Sequence, residues 1–85
     1  MEYLISDHGK AELLRRGISG DLLEDVLRQP EQVIEVRAGR KVLQSRVTQD
    51  GKQYLLRVVV DSEGSRATVV TAYRTKKIGK YWRIQ

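Results

Sequence analysis

Eighty-five residues make one domain with a modest core, since a chain of this size buries only roughly 60% of the surface it exposes when unfolded. There is no cysteine and only one histidine, which excludes disulfides, thiolate chemistry and a Cys/His zinc site, so neither a metal nor another cofactor is expected. The net charge of +5 is uneven: residues 1–30 hold four cations against six anions and residues 31–85 twelve against five, which places the whole excess in the second part and points to an anionic partner.

The N-terminal MEYLISDHG has an acidic second residue and no long apolar run, so neither a signal peptide nor a membrane anchor is expected, and the chain reads as a soluble cytoplasmic protein. Ser6 or Asp7 caps a first helix carrying Ala11, Leu13 and Leu14; Arg15 and Arg16 lie at the negative end of its dipole, and Gly17 supplies the left-handed stop. Ser19 caps a second helix, with Leu22, Leu23, Val26 and Leu27 along one stripe and Pro30 closing it.

From Gln32 onward the apolar period changes to two. Strands are predicted at about 32–37, 41–49, 52–60 and 66–73, joined by AGR, by the hairpin dipeptide DG and by DSEG. Connections this short force an antiparallel meander. The expected fold is α+β, with two N-terminal helices packed on one face of a four-stranded antiparallel sheet. In the tail TKKIGKYWRIQ, a single helical turn is expected at 74–78, with Gly79 breaking it and Tyr81 and Trp82 packing back on the sheet.

Alternation sorts the side chains into two faces. Tyr54, Leu56, Val58 and Val60, with Leu43, Ser45, Val47, Val70 and Ala72, suit the face under the helices. Gln44, Arg46, Arg57, Thr71 and Tyr73 fall on the far face among Val42, Leu55, Val59 and Val69. A guanidinium in a half-dry, mid-strand position needs a partner, and phosphate matches its planar fork; the alternative is a solvated face with arginine stems lying over aliphatic neighbours. Between Arg66 and Gln85 there are six cations and no carboxylate. His8, the only imidazole, is the default general acid or base, or else a surface residue near a helix start.

The stretches SDHGKAELLRRGIS, VLRQPEQVIE and VVTAYRTKKIGKYW resemble the DUF4258 family of small bacterial proteins over about residues 4 to 82. That family is similar to the RelE-like and EndoU-like group of small α+β ribonucleases and toxins, which cleave RNA without a metal and are often neutralised by an antitoxin protein. The matching positions are His8, Arg15 or Arg16, Gly17, Ile18, Pro30, Thr71 and Tyr73, of which Gly17, Ile18 and Pro30 look structural.

The residues and the resemblance together lead to a metal-independent endoribonuclease, the toxin of a toxin–antitoxin pair. Its catalytic set is His8, Arg46, Arg57, Thr71 and Tyr73, and Arg15, Arg74, Lys76, Lys77, Lys80 and Trp82 bind nucleic acid, with Tyr81 the alternative to Trp82 for stacking on a base. RNA and an antitoxin are the expected partners, with no membrane. The rivals are a non-catalytic RNA- or DNA-binding module and a basic protein-interaction domain.

Overall fold

The chain begins with a strand that hydrophobic alternation does not announce. In the computed structural model, which describes residues 3–63 and 66–84, β1 (Tyr3–Ile5) runs parallel to β5 (Arg66–Thr75), with Tyr3 opposite Ala67 and Ile5 opposite Val69. Between them lie α1 (Asp7–Arg15), α2 (Gly20–Arg28), β2 (Gln32–Arg37), β3 (Arg40–Gln49) and β4 (Lys52–Glu63), and α3 (Ile78–Tyr81) follows. The sheet is mixed, with strand order β1-β5-β4-β3-β2.

The expected four-stranded antiparallel sheet covered on one face by two N-terminal helices is therefore corrected to a five-stranded mixed sheet with three short helices among the described residues. The reason is physical. A three-residue strand holds too few alternations to register as a period, and its parallel partner lies more than sixty residues away, supplied only when the meander folds back.

Both N-terminal helices are capped as their sequences dictate. Ser6 Oγ accepts the Gly9 N–H at 2.9 Å, and Ser19 Oγ accepts the Leu22 N–H at 3.2 Å. Gly17 takes a φ of +64° just past α1, the left-handed conformation that a side chain resists. α1 lies along β5, close enough that a Cβ on the buried Gly9 would stand 2.8 Å from the Val69 carbonyl oxygen. α2 contacts β3 and β4 and turns Leu23 and Val26 into a core completed by Ile18, Leu43, Leu56, Val58, Val60, Val69 and Ala72.

The DG turn between β3 and β4 has positive φ at both Asp50 (53°) and Gly51 (75°), the conformation that a two-residue hairpin demands. Alternation holds along β3 and β4 but not along β5. Val59 faces Thr71 while Val60 faces Val69, so Val70 is an extra residue in a bulge. Val69, expected on the far face, is consequently fully buried on the core side, and Val70 loses the place expected for it there.

Two further boundaries differ. β5 keeps pairing as far as Thr75, opposite Leu55, so no helical turn forms at 74–78; the turn comes later as α3 and includes Gly79 rather than stopping at it. In the DSEG connection, residues 64 and 65 lie outside the described residues. No described helix is long and apolar enough to cross a membrane.

Candidate functional site

On the face away from α1 and α2, polar side chains of neighbouring strands line up in register. Gln32 of β2 stands opposite Gln44 of β3, Gln44 opposite Arg57 of β4, and Arg57 opposite Tyr73 of β5. Cross-strand neighbours on one face are close enough to bond, and these four do so in sequence. Gln44, with no solvent exposure, donates from Nε2 to Gln32 Oε1 at 2.8 Å and accepts Arg57 Nε at 2.9 Å. Arg57 donates its other arm to the Tyr73 hydroxyl at 2.5 Å.

The chain's tail crosses this row. Gln44 Nε2 also reaches the Tyr81 carbonyl at 3.2 Å. Gln32 holds residue 83 by both main-chain groups, donating to the Arg83 carbonyl at 2.6 Å and accepting its N–H at 3.0 Å. The Tyr81 ring lies against the Arg57 guanidinium, 4.2 Å from its centroid, and meets Tyr73 edge-on. The far face is thus floored by amides and partly roofed by residues 81–83.

Arg57 and Arg46, paired in the sequence reading as phosphate clamps, differ in electrostatics. Arg46 is occupied: its Nε and Nη2 form a fork on Glu31 at 3.2 and 2.7 Å, its main-chain N–H adds a third bond to the same carboxylate, and its guanidinium stacks on Trp82 at 4.4 Å. The side-chain bonds from Arg46, and then the main-chain bond, hold the Glu31 carboxyl below its usual range, while Glu31 raises the Arg46 pKa in return. Arg57 takes part in none of the ion pairs among the described residues. Its half-buried charge rests on two neutral acceptors and aromatic rings, so an incoming anion meets an uncompensated cation.

His8 sits elsewhere. It is on α1, 72% exposed, with Nε2 3.6 Å from Glu12 Oε1 one turn along. Glu12 is the hub of this helix face: it takes a fork from Arg15 and lies 3.5 Å from Arg16 Nε, and the Arg15 hydrogen bond is the largest of the influences holding its carboxyl below the usual range. Arg16 then spans the gap to the sheet, donating to the Ala72 carbonyl at 2.8 Å with its guanidinium 5.9 Å from the Tyr73 ring centroid. A line of contacts therefore runs from His8 through Glu12, Arg16 and Tyr73 to Arg57.

The remaining predicted residues divide between two locations. Thr71, opposite Val59, shares the Tyr73 face, and Lys80 lies 5.3 Å from the Tyr81 ring. Arg74 points to the helix side, bonding the Gly17 carbonyl at 3.2 Å and Gln49 Oε1 at 3.0 Å; it gathers around Tyr54 with Lys76, while Lys77 is exposed. Arg15 is spent on Glu12.

The sequence reading omitted Gln32, Gln44 and Glu12 from the site, and named Arg16 and Tyr81 only as the alternatives to Arg15 and Trp82. A signal existed for two of them: Glu12 is four residues from both His8 and Arg16, and Gln44, in mid-strand beside Val42 and Leu43, is out of place unless bonded. Nothing local distinguishes Arg16 from Arg15, and the tail's course is a tertiary matter.

Among the described residues no three His, Asp or Glu side chains converge as a metal site would need. An apolar groove of about 780 Å3 between β1 and α2, lined by Tyr3, Leu4, Ile5, Leu23 and Leu27 among others, holds none of the predicted site residues. With this geometry in place, the comparisons with known proteins add one match: the family model described as "Domain of unknown function (DUF4258)" covers residues 5–74. No curated protein and no solved structure matches the chain.

Proposed function

Starting from the chain's membership of the DUF4258 family, a domain of unknown function, we propose that the face bearing Arg57 and Tyr73 binds an RNA phosphodiester and that the protein cleaves it as a metal-independent endoribonuclease. The observation that carries this reading is the half-buried Arg57 guanidinium, which forms no ion pair with a carboxylate among the described residues. Burying a cation without an acid costs stability, and a site that must receive phosphate gives a reason for bearing that cost.

In the reaction, a base takes the proton of the ribose 2′-OH and O2′ attacks phosphorus. The P–O5′ bond breaks with protonation of the leaving 5′-oxygen, and a 2′,3′-cyclic phosphate remains. Arg57 stabilises the negative charge that builds on the phosphorane oxygens. The Tyr73 oxygen accepts a hydrogen bond from Arg57, so its own O–H is left to donate to a phosphate oxygen. Thr71 lies on the same face for positioning, and His8, oriented by Glu12, is the acid or base. Arg46 serves as a stacking partner for Trp82 rather than as a free clamp. Lys80 and the other tail cations attract the RNA backbone. A cytoplasmic toxin held silent by an antitoxin on this face accords with the reading.

A second reading, RNA binding without cleavage, is favoured by one observation: His8 is exposed and pairs with Glu12 of its own helix. Incubation with labelled single-stranded RNA in EDTA separates the two. Cyclic-phosphate products that vanish in Arg57→Met and His8→Ala, with both variants folded, are expected for the nuclease. Bound and uncut RNA leaves the binding module, and neither binding nor cleavage removes both.

A further inference from the structure

The polar row from Gln32 to Tyr73 is already filled, and what fills it is a later segment of the same chain, residues 81–83. The tail's attachment is of an unusual kind. α3 buries no residue, and Ile84 at the end is 96% exposed, so little apolar packing anchors the segment. It is held by three bonds between glutamine amides and main-chain groups, two donated to the carbonyls of residues 81 and 83 and one accepted from the N–H of residue 83, and by two guanidinium–ring stacks, Arg57 on Tyr81 and Arg46 on Trp82. Contacts of that sort release readily, because water replaces each of them at small net cost.

The floor beneath is matched to more than a peptide. Gln32 presents a donor and an acceptor side by side, the pattern that an unpaired nucleobase edge complements as well as a peptide unit does. The guanidinium planes of Arg57 and Arg46 accept an aromatic face, which a base supplies as Tyr81 and Trp82 do now. Between them, Arg57 carries the charge that a phosphate seeks. While Tyr81 lies over it, one face of that guanidinium is shut, and Gln44 and Tyr73 hold two of its N–H groups.

We propose that residues 79–84 form a releasable strap seated in a single-stranded RNA site, and that RNA binding displaces the strap from Arg57, Gln44 and Gln32. This rests on the reading of that face as an RNA site and adds its regulation: the free protein is self-occluded, and its apparent affinity is reduced by the fraction of time that the strap is closed.

The test is Tyr81→Ala, which uncovers Arg57 without altering charge or either glutamine. Trp82, the only tryptophan, reports the strap position through its emission. Wild type and variant are titrated with a short fluorescein-labelled single-stranded RNA, following anisotropy for binding and Trp82 emission for release. The expected result is Trp82 emission that shifts toward its solvent-exposed position as RNA binds the wild type. In Tyr81→Ala the shift should be present before RNA is added, and binding should be about 3- to 30-fold tighter, the span that loss of one guanidinium–ring contact allows. RNA binding with an unresponsive Trp82 and equal or weaker affinity in Tyr81→Ala would overturn the strap and leave the RNA site standing, with Tyr81 as part of it. No binding by either protein would overturn both.

Discussion

Replacing Gln44 by Leu probes the polar row at its middle. The side chain is wholly buried and takes part in three hydrogen bonds, donating to Gln32 and to the Tyr81 carbonyl and accepting from Arg57. Leucine has a similar volume, so no large cavity opens, but three partners lose a bond and one of them is a half-buried guanidinium. Two neutral bonds at about 1 kcal/mol each and one to a charged donor at about 1.5–3 kcal/mol sum to roughly 3–5 kcal/mol. The extra apolar burial of leucine returns about 1–2 kcal/mol, leaving a net loss of about 1–4 kcal/mol. For a domain of this size that corresponds to a fall in Tm of roughly 4–32 °C. Urea unfolding followed by far-UV circular dichroism measures the free energy, and Trp82 emission in the same titration shows whether the tail detaches first. A loss below about 0.5 kcal/mol, or a gain, would refute the claim that these amides are bonded as described, since three orphaned groups cannot be that cheap.

Other expectations follow from the same geometry. Gly9→Ala places a Cβ 2.8 Å from the Val69 carbonyl, a backbone atom that cannot swing away; despite alanine's better helix propensity, it should destabilise by about 1–2 kcal/mol in urea melts, and unchanged stability would mean that α1 does not lie so close to β5. Glu31, held below its ordinary 4.5 by Arg46, and Asp61, held below 3.8 by its fork from Arg40, have folded-state pKa values beneath their unfolded ones. Their stabilising contribution is therefore complete above those ordinary values and is lost as pH falls through the lower folded ones. Unfolding free energy should be level near neutrality and drop below about pH 4.5, and Glu31→Gln should make that drop shallower. An identical acid profile in the variant would show that the Arg46 fork is not held in solution.

Much of the site was legible one residue at a time, because a strand's side chains alternate whatever lies beside it. That is enough to put Gln44, Arg46, Arg57 and Tyr73 on one face and Leu56 and Val58 on the other. It fails at Val70, where a single extra residue shifts the alternation and sends Val69 inward; no local feature of the TVVT run at residues 68–71 marks which valine will bulge. The partner of each arginine was equally invisible. Glu31 lies fifteen residues from Arg46, and whether that carboxylate faces Arg46 or Arg57 depends on the path of the turn at Pro30.

By itself, then, the sequence determined the capped helices, the meander, the positive-φ hairpin at Asp50 and Gly51, and the excess of cations in the second part of the chain, all of which depend on neighbours within a few residues. Only the tertiary structure decided that Tyr3–Ile5 completes the sheet beside β5, that Arg46 pairs with Glu31 while Arg57 joins no ion pair among the described residues, and that the tail lies across the glutamine row. Those outcomes depend on residues tens of positions apart meeting at hydrogen-bonding distance, and short-range periodicity contains no information about such meetings.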